Sequence, residues 1–454
     1  MKLISQFKNR YDNITYKTYE TENGIKVIHL DNPTTINFDL AVIHAAGAAF
    51  EIQEGVPRGT AHFLEHMLLN PNTYFKTQDD INRFEQGSKE RPALEINAFT
   101  NKKNIIFVGH SHQKGAFRVL DRLERIYDFP KKKFINLLEK ERGIILAEKS
   151  RKLKKKSNAS MMYTEFLFKN IADEFTGDTF GEEEDIKAIT IDDLEKYYLK
   201  RILGSNSVIS IQSNGVLDKK LMDRVESFSK LLSFKPELGI RDIKLNNEWK
   251  IGVFQDKREN GISIYFDYFE EINKKQDYKK TTVSFITAKL LEWLAFNILR
   301  EKKSLIYNFS VAKTPNFSFK YFIYSYSFTT EKSKIVTTLD EYYNLIYTET
   351  FKFLKSKKGR EWFDDMISMY IFPKTTVYDS SSGESIGIRV LESRDIFNYN
   401  LAVKKAKTLC IKDIEDYLRE QLEIPPHIWV EGDIGKIEMI DIINGSFFGK
   451  RFNS

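Results

Sequence analysis

The sequence predicts an α+β fold made of two homologous α/β domains with mostly antiparallel sheets and packed helices, a pseudo-duplication within one chain. Three observations lead there. At 454 residues the chain is longer than one hydrophobic core ordinarily serves. Short runs rich in β-branched and aromatic residues alternate with stretches of helical periodicity. The order of these elements in the first half recurs in the second.

In the first half, GIKVIHL at 24–30 and INFDLAVIH at 36–44 read as strands, followed by a short helix over 60–69. INAFT at 96–100 and KNIIFVGHS at 103–111 are the next strands, two helices follow, and SVISIQS at 207–213 closes the set. The second half repeats this. IGVFQD at 251–256 and ISIYFDYF at 262–269 precede a helix over 282–302; LIYNFSVAK at 305–313 and FKYFIYSYSF at 319–328 are strands, helices come next, and HIWVEGD at 427–433 is the closing strand. Residues 234–249, polar and holding Pro236 and Gly239, read as a linker between domains at 1–233 and 250–454.

His62-Phe63-Leu64-Glu65-His66 is the most informative stretch. At about 100° per residue, His66 lies about 40° round the helix from His62 and Glu65 about 60° to the other side, so all three share an arc of roughly 100°. Seven histidines occur in the chain, which makes a chance pair at this spacing, with glutamate in this slot, uncommon. Thr60 is placed to cap the helix, Asn70-Pro71 to stop it, and Met67, Leu68 and Leu69 to anchor it in a core. The order His-x-x-Glu-His is a zinc-peptidase signature of the inverted kind.

A catalytic zinc needs three protein ligands and an open position, so a further ligand has to come from elsewhere. Residues 134–170 read as one long helix whose apolar stripe includes Leu137, Leu138, Ile144, Ile145 and Leu146. Glu141 and Glu148 lie two turns apart on nearly one face of it. Either can bind metal while the other orients a ligand.

GTAHFLEHMLLN at 59–70 and ERGIILAE at 141–148 resemble the pitrilysin-type inverzincins, zinc metallopeptidases that include insulin-degrading enzyme and the mitochondrial processing peptidase. The resemblance spans nearly the whole chain and implies Glu148 as the third zinc ligand, with Glu141 as a supporting acid. Asn97-Ala98-Phe99-Thr100 resembles the family's edge strand, which implies Asn97, Ala98 and Phe99 as substrate-binding residues. Strand addition there would satisfy a peptide backbone with little regard to its sequence. LREKKSLIYNFS at 299–310 is similar to the family's arginine-tyrosine motif, implying that Arg300 and Tyr307 meet substrate carbonyls and that the tyrosine helps hold the oxyanion.

The expected activity is zinc-dependent endopeptidase cleavage of peptides or small unfolded precursors. Zinc on His62, His66 and Glu148 would lower the pKa of its water from near 16 to roughly 7. Glu65 would be the general base and return the proton to the leaving amine. The stretch matching the zinc helix in the second half, LLEWLAFNILRE, lacks the motif, so one chain carries one site. The resemblance implies dimers in which the arginine-tyrosine domain of one subunit faces the zinc domain of the other. A homodimer is the simplest form and a heterodimer with a related subunit is the other. A non-catalytic structural or assembly subunit of the same family is the alternative function.

The remaining features set limits. Cys410 is the only cysteine, which suits a reducing cytoplasm and excludes an internal disulfide. The first residues lack a continuous apolar run, and the most apolar stretch, 283–299, is broken by Lys289 and Glu292, so neither export nor membrane spanning is expected. A net charge of +6 is mild, and no nucleic-acid module is evident. Two local features depart from the family pattern: an added charged loop, SKERPAL at 88–94, and Leu69-Asn70-Pro71-Asn72 after the zinc helix. The loop is expected at the cleft, where it would bias which peptides enter.

Overall fold

Seven strands form the first sheet of this computed structural model: β1 (Lys2–Lys8), β2 (Thr15–Glu20), β3 (Lys26–Asp31), β4 (Asn37–His44), β5 (Leu94–Thr100), β6 (Ile105–His112) and β7 (Ser207–Ser213), in the order β1-β2-β3-β7-β4-β6-β5. The structure describes all residues except 11, 154–158, 169–177, 205, 216, 234–244, 246–249, 258–260, 272–274, 276, 315–320, 377–382, 393–395 and 453–454. β3 and β7 pair in parallel and every other neighbour is antiparallel. The hairpin β1-β2 was not expected from sequence. β1 forms the far edge with Leu3 and Ile4 about half exposed, so its residues carry no clear inside-outside alternation.

Register fixes which face does what. Thr100, Ala98 and Ile96 of β5 stand opposite Ile105, Phe107 and Gly109 of β6, which in turn align with His44, Val42 and Leu40 of β4. Helices α1 (Thr60–Leu69) and α3 (Ala116–Glu124) cover this face, with α2 (Gln78–Glu85) between them in the chain: Thr100 meets Glu65 of α1, and Gly109 leaves room for Val119 of α3. Helix Gly383–Leu391 lies on the opposite face, where Gly387 packs against Ile43 and Ser210.

The second sheet joins β8 (Ile251–Gln255), β9 (Ile262–Glu271), β10 (Asn308–Thr314), β11 (Tyr321–Thr330) and β12 (His427–Gly432) in the order β10-β11-β9-β12-β8. Here too one pair, β12 with β8, is parallel. The series β3-β7-β4-β6-β5 thus has its counterpart in β8-β12-β9-β11-β10, and the expected duplication is a duplication of topology. Helix Tyr278–Ala295, continued as a π-helical stretch Phe296–Lys302, buries Leu290, Leu291, Leu294 and Leu299 in this second core. By length and hydropathy alone this helix could cross a membrane, but it serves here as a core helix.

The chain divides into two compact units, though not at one cut. Unit one holds residues 1–157, 173–242 and 379–398; unit two holds 158–172, 243–378 and 399–454. Apart from Leu245, the linker expected at 234–249 lies outside the described residues. The long helix expected over 134–170 is helical in two described stretches, and residues 154–158 between them lie outside the described residues. α4 (Lys131–Leu153) belongs to unit one, and Ala159–Leu167 to unit two, where Phe166 packs on Trp429 of β12. Within α4, Phe134 and Ile145 are buried while Ile144 is 41% exposed, so Ile144 drops out of the apolar stripe.

Candidate active site

α1 and α4 bring the sequence-derived ligand set together. His62 Nε2 lies 3.9 Å and His66 Nε2 3.6 Å from Glu148 Oε2, and one donor atom from each of the three falls within 4.8 Å of the others. Two imidazole nitrogens and a carboxylate oxygen are the donor types a catalytic zinc takes. With zinc-to-ligand bonds of about 2.0–2.2 Å, a small inward movement of these side chains suffices for coordination. The donor set therefore fits zinc.

The surroundings orient these groups. Glu141 is 4% exposed, two helical turns before Glu148, and its Oε2 stands 3.5 Å from His66 Nδ1, the nitrogen facing away from Glu148. Burial acts to lower the His66 pKa, but the Glu141 carboxylate, with the charges of Glu65 and Glu148, outweighs it and holds the imidazole above its ordinary value. Glu141 shifts the opposite way: burial acts to raise it, and His66 with Asn70 brings it below the usual carboxylate value. A carboxylate behind a ligating imidazole fixes its tautomer and orientation. The other flank of the pair is apolar, with the Phe180 ring edge-on to His62 at 4.4 Å between centroids.

Glu65 is 7% exposed on the same helix face, and Thr100 Oγ1 donates to its Oε2 at 2.6 Å. That contact ties the acid to β5, which ends the sheet. Along β5, Asn97 and Phe99 are exposed and Ala98 is buried, the alternation of a strand with one face packed. Asn97 folds its Oδ1 back onto the Ala98 N–H at 2.9 Å.

Arg300 and Tyr307 belong to unit two. Arg300 sits on the closing turns of the core helix, half exposed, over the Phe296 ring. Tyr307 immediately precedes β10, is 55% exposed and donates its hydroxyl to Glu331 Oε1 at 3.2 Å.

Several supporting residues escaped sequence reasoning. Thr60 does not cap α1: it is the first helical residue, and its Oγ1 donates to Pro57 O at 2.6 Å. The cap position is Gly59, and the first turn is met by the distant Glu51. Thr100 closes the strand Asn97-Ala98-Phe99-Thr100, and no sequence signal gives it a role of its own. Phe180 had no local signal, being held against the site by Lys149, which reaches Gly181 O and Glu182 from α4. The stop at Asn70 is as expected, and its side chain closes the helix by donating to His66 O at 3.0 Å.

Comparison with known proteins matches residues 26–173 to the family model Insulinase (Peptidase family M16). The chain is 25% identical over 225 residues to the mitochondrial-processing peptidase subunit beta of Neurospora crassa, covering 49% of this chain and 45% of that protein. It is 21% identical over 331 residues to the zinc protease YmxG of Bacillus subtilis, covering 71% of this chain and 72% of that one. Among solved structures, the periplasmic protease PqqL from Escherichia coli matches with a TM-score of 0.75 at 13% identity, over 96% of this chain and 50% of that one. A peptidase M16 inactive domain from Pseudomonas fluorescens matches with a TM-score of 0.68 at 17% identity, over 92% and 98%. The chain thus spans about half the length of the fungal subunit and of the Escherichia coli protease. The matched segment contains His62, Glu65, His66, Thr100, Glu141 and Glu148, and the chain carries a Peptidase M16 domain of the insulinase/pitrilysin family.

Proposed function

We propose that the chain is a zinc-dependent endopeptidase acting on peptides or small unfolded precursor polypeptides. The observation that carries this reading is the convergence of His62, His66 and Glu148 from two helices, with Glu65 on the same helix as the imidazoles and hydrogen-bonded to Thr100 of the edge strand β5. These three residues would hold one zinc ion per chain. Bound there, zinc would supply the Lewis acidity that makes an attacking hydroxide available near neutral pH.

The chain's own residues account for the rest. Glu65 accepts the proton of the attacking water and passes it to the leaving amine, with Thr100 keeping its carboxylate turned toward the site. A peptide adds along β5, its backbone pairing with the strand edge while alternate side chains fall beside Asn97 and Phe99. Tyr307 and Arg300 hold substrate carbonyls, and Tyr307 donates to the developing oxyanion after leaving Glu331. The loop at 88–94 runs directly into β5, which supports its reading as a selector of entering peptides. A homodimer in a reducing cytoplasm completes the proposal.

The competing reading is a non-catalytic subunit, favoured by the inactive M16 domain among the structural neighbours. One experiment separates the two. Zinc content is measured on the purified chain, and a quenched peptide library is offered with and without chelator, beside Glu65→Gln. A peptidase is expected to hold zinc, to cleave only when zinc is present, and to fall silent in Glu65→Gln with its metal retained. Metal-free, inactive wild-type protein would leave the non-catalytic reading.

A further inference from the structure

Helix α1 carries both imidazoles yet starts on a residue that cannot cap it. Gly59 has φ 87°, and a Cβ there would fall 2.0 Å from the Phe180 carbonyl oxygen, so no capping side chain fits. The next hydroxyl, on Thr60, is spent on Pro57. The first-turn N–H groups are met by Glu51, eight residues before Gly59: its Oε2 accepts from Gly59 N at 3.0 Å and its Oε1 from Ala61 N at 2.7 Å.

This grip has a firm base. Glu51 is 1% exposed and directly follows the single turn Ala48–Phe50. The backbone N–H groups of Gly47, Ala48 and Ala49 donate to the carbonyls of Lys103, Asn101 and Lys102. Those carbonyls belong to the turn that follows Thr100, the residue holding Glu65. One rigid corner therefore secures both the general base, through Thr100, and the start of the helix that presents the imidazoles, through Glu51.

A cap alone does not call for such an arrangement. An Asp or Ser at an ordinary cap position serves a surface helix, whereas a fully buried carboxylate is costly. Burial pushes Glu51 up to about 8 even against its two backbone hydrogen bonds. Ala61, one of the two residues it grips, immediately precedes His62.

We infer that Glu51 is a positioning residue for the metal site: by holding Gly59 and Ala61 it fixes the direction in which α1 presents His62, and so sets the affinity for zinc. This rests on the zinc reading above. Glu51→Gln keeps the shape but turns an amide NH2 toward one of the two N–H groups, breaking the two-point grip.

The test uses the full chain. Zinc affinity is measured by chelator competition and ligand geometry by the visible absorption of the cobalt-substituted protein, with far-UV circular dichroism as a check on folding. Glu51→Gln is expected to fold, to bind zinc at least tenfold more weakly, and to give a cobalt spectrum unlike the wild type's. A folded variant with wild-type zinc affinity and cobalt spectrum overturns the inference while leaving the peptidase reading intact. A wild-type chain with no zinc affinity overturns both. If the variant does not fold, hydrogen exchange in the wild type decides, because coupling between cap and metal is reciprocal. Zinc should then slow the Gly59 and Ala61 amides more than those of Met67 and Leu68, and equal slowing at the two ends overturns the inference.

Discussion

Glu65, the proposed general base, is the residue whose environment is most specific. A carboxylate at 7% exposure can rotate away from its task unless something holds it, and Thr100 Oγ1 does so at 2.6 Å. A hydrogen bond to a charged group contributes about 1.5–3 kcal/mol, so Thr100→Val, which keeps shape and strand preference, is expected to lower kcat roughly ten- to hundredfold. KM and zinc content should stay near wild type, and steady-state kinetics with metal analysis on one preparation checks both. Tyr307→Phe should cost about 10²–10³ in kcat at little change in KM if its hydroxyl meets the oxyanion. The imidazole pair was legible from helical spacing alone, whereas Glu141 and Glu148 were joined to it by the family resemblance, their own spacing showing only that they share a helix face. Glu51, Thr100 and Phe180 were not legible, since each reaches the site from a different segment and nothing local marks it.

At the scale of elements, the strands from β3 onward were readable; β1 was missed where neither face is buried, and β2 was missed too, although Tyr16, Lys17 and Tyr19 are buried. The helix expected over 134–170 serves both units. α4 and Ala159–Leu167 are both helical, so periodicity ran on, while the two pack against different cores. Two central strands carry an acid-sensitive element. His44 of β4 is held between Ser207 Oγ at 2.8 Å and Tyr127 Oη at 2.7 Å, and His29 of β3 meets Ser213 Oγ at 2.9 Å. Burial lowers His44 to about 3; burial, with Lys17 nearby, lowers His29 to about 4. Both folded values lie below the unfolded value of about 6.5, so between these limits the unfolded chain binds more protons. Stability is therefore complete above about pH 6.5 and is lost as pH falls toward 4, on the order of 3 kcal/mol from His29 alone. Urea unfolding at pH 7, 5.5 and 4 should show this fall. His29→Gln, which can still hydrogen-bond but does not titrate, should remove about half of it and leave the part due to His44.

Across the whole molecule, the duplication explains why two like sheets leave one candidate metal site among the described residues. α1 comes between β4 and β5, and helix Tyr278–Ala295 comes between β9 and β10, so the two helices occupy matching places in the topology. Each offers a glutamate to its edge strand: Glu65 accepts from Thr100 of β5, and Glu292 accepts the Val311 N–H of β10 at 3.2 Å. Counting back three and on one from Glu292, as from Glu65 to the imidazoles, gives Lys289 and Trp293. An ammonium has no free lone pair and an indole N–H only donates, so neither can ligate a metal. The second helix thus repeats the scaffold without the chemistry, while its own unit carries Arg300 and Tyr307. If the chain is a homodimer whose sites pair the zinc unit of one copy with the tyrosine of the other, complementation follows from symmetry. Glu65→Gln and Tyr307→Phe, each impaired alone, would form mixed dimers in which one of two sites pairs an intact Glu65 with an intact Tyr307. Random exchange makes half the dimers mixed, so an equimolar mixture should regain about a quarter of wild-type activity. Recovery near that level, absent when the variants are kept apart, supports sites shared between chains. Activity no higher than the average of the two variants would mean that each chain builds its site alone, or that Tyr307 has no part in the chemistry.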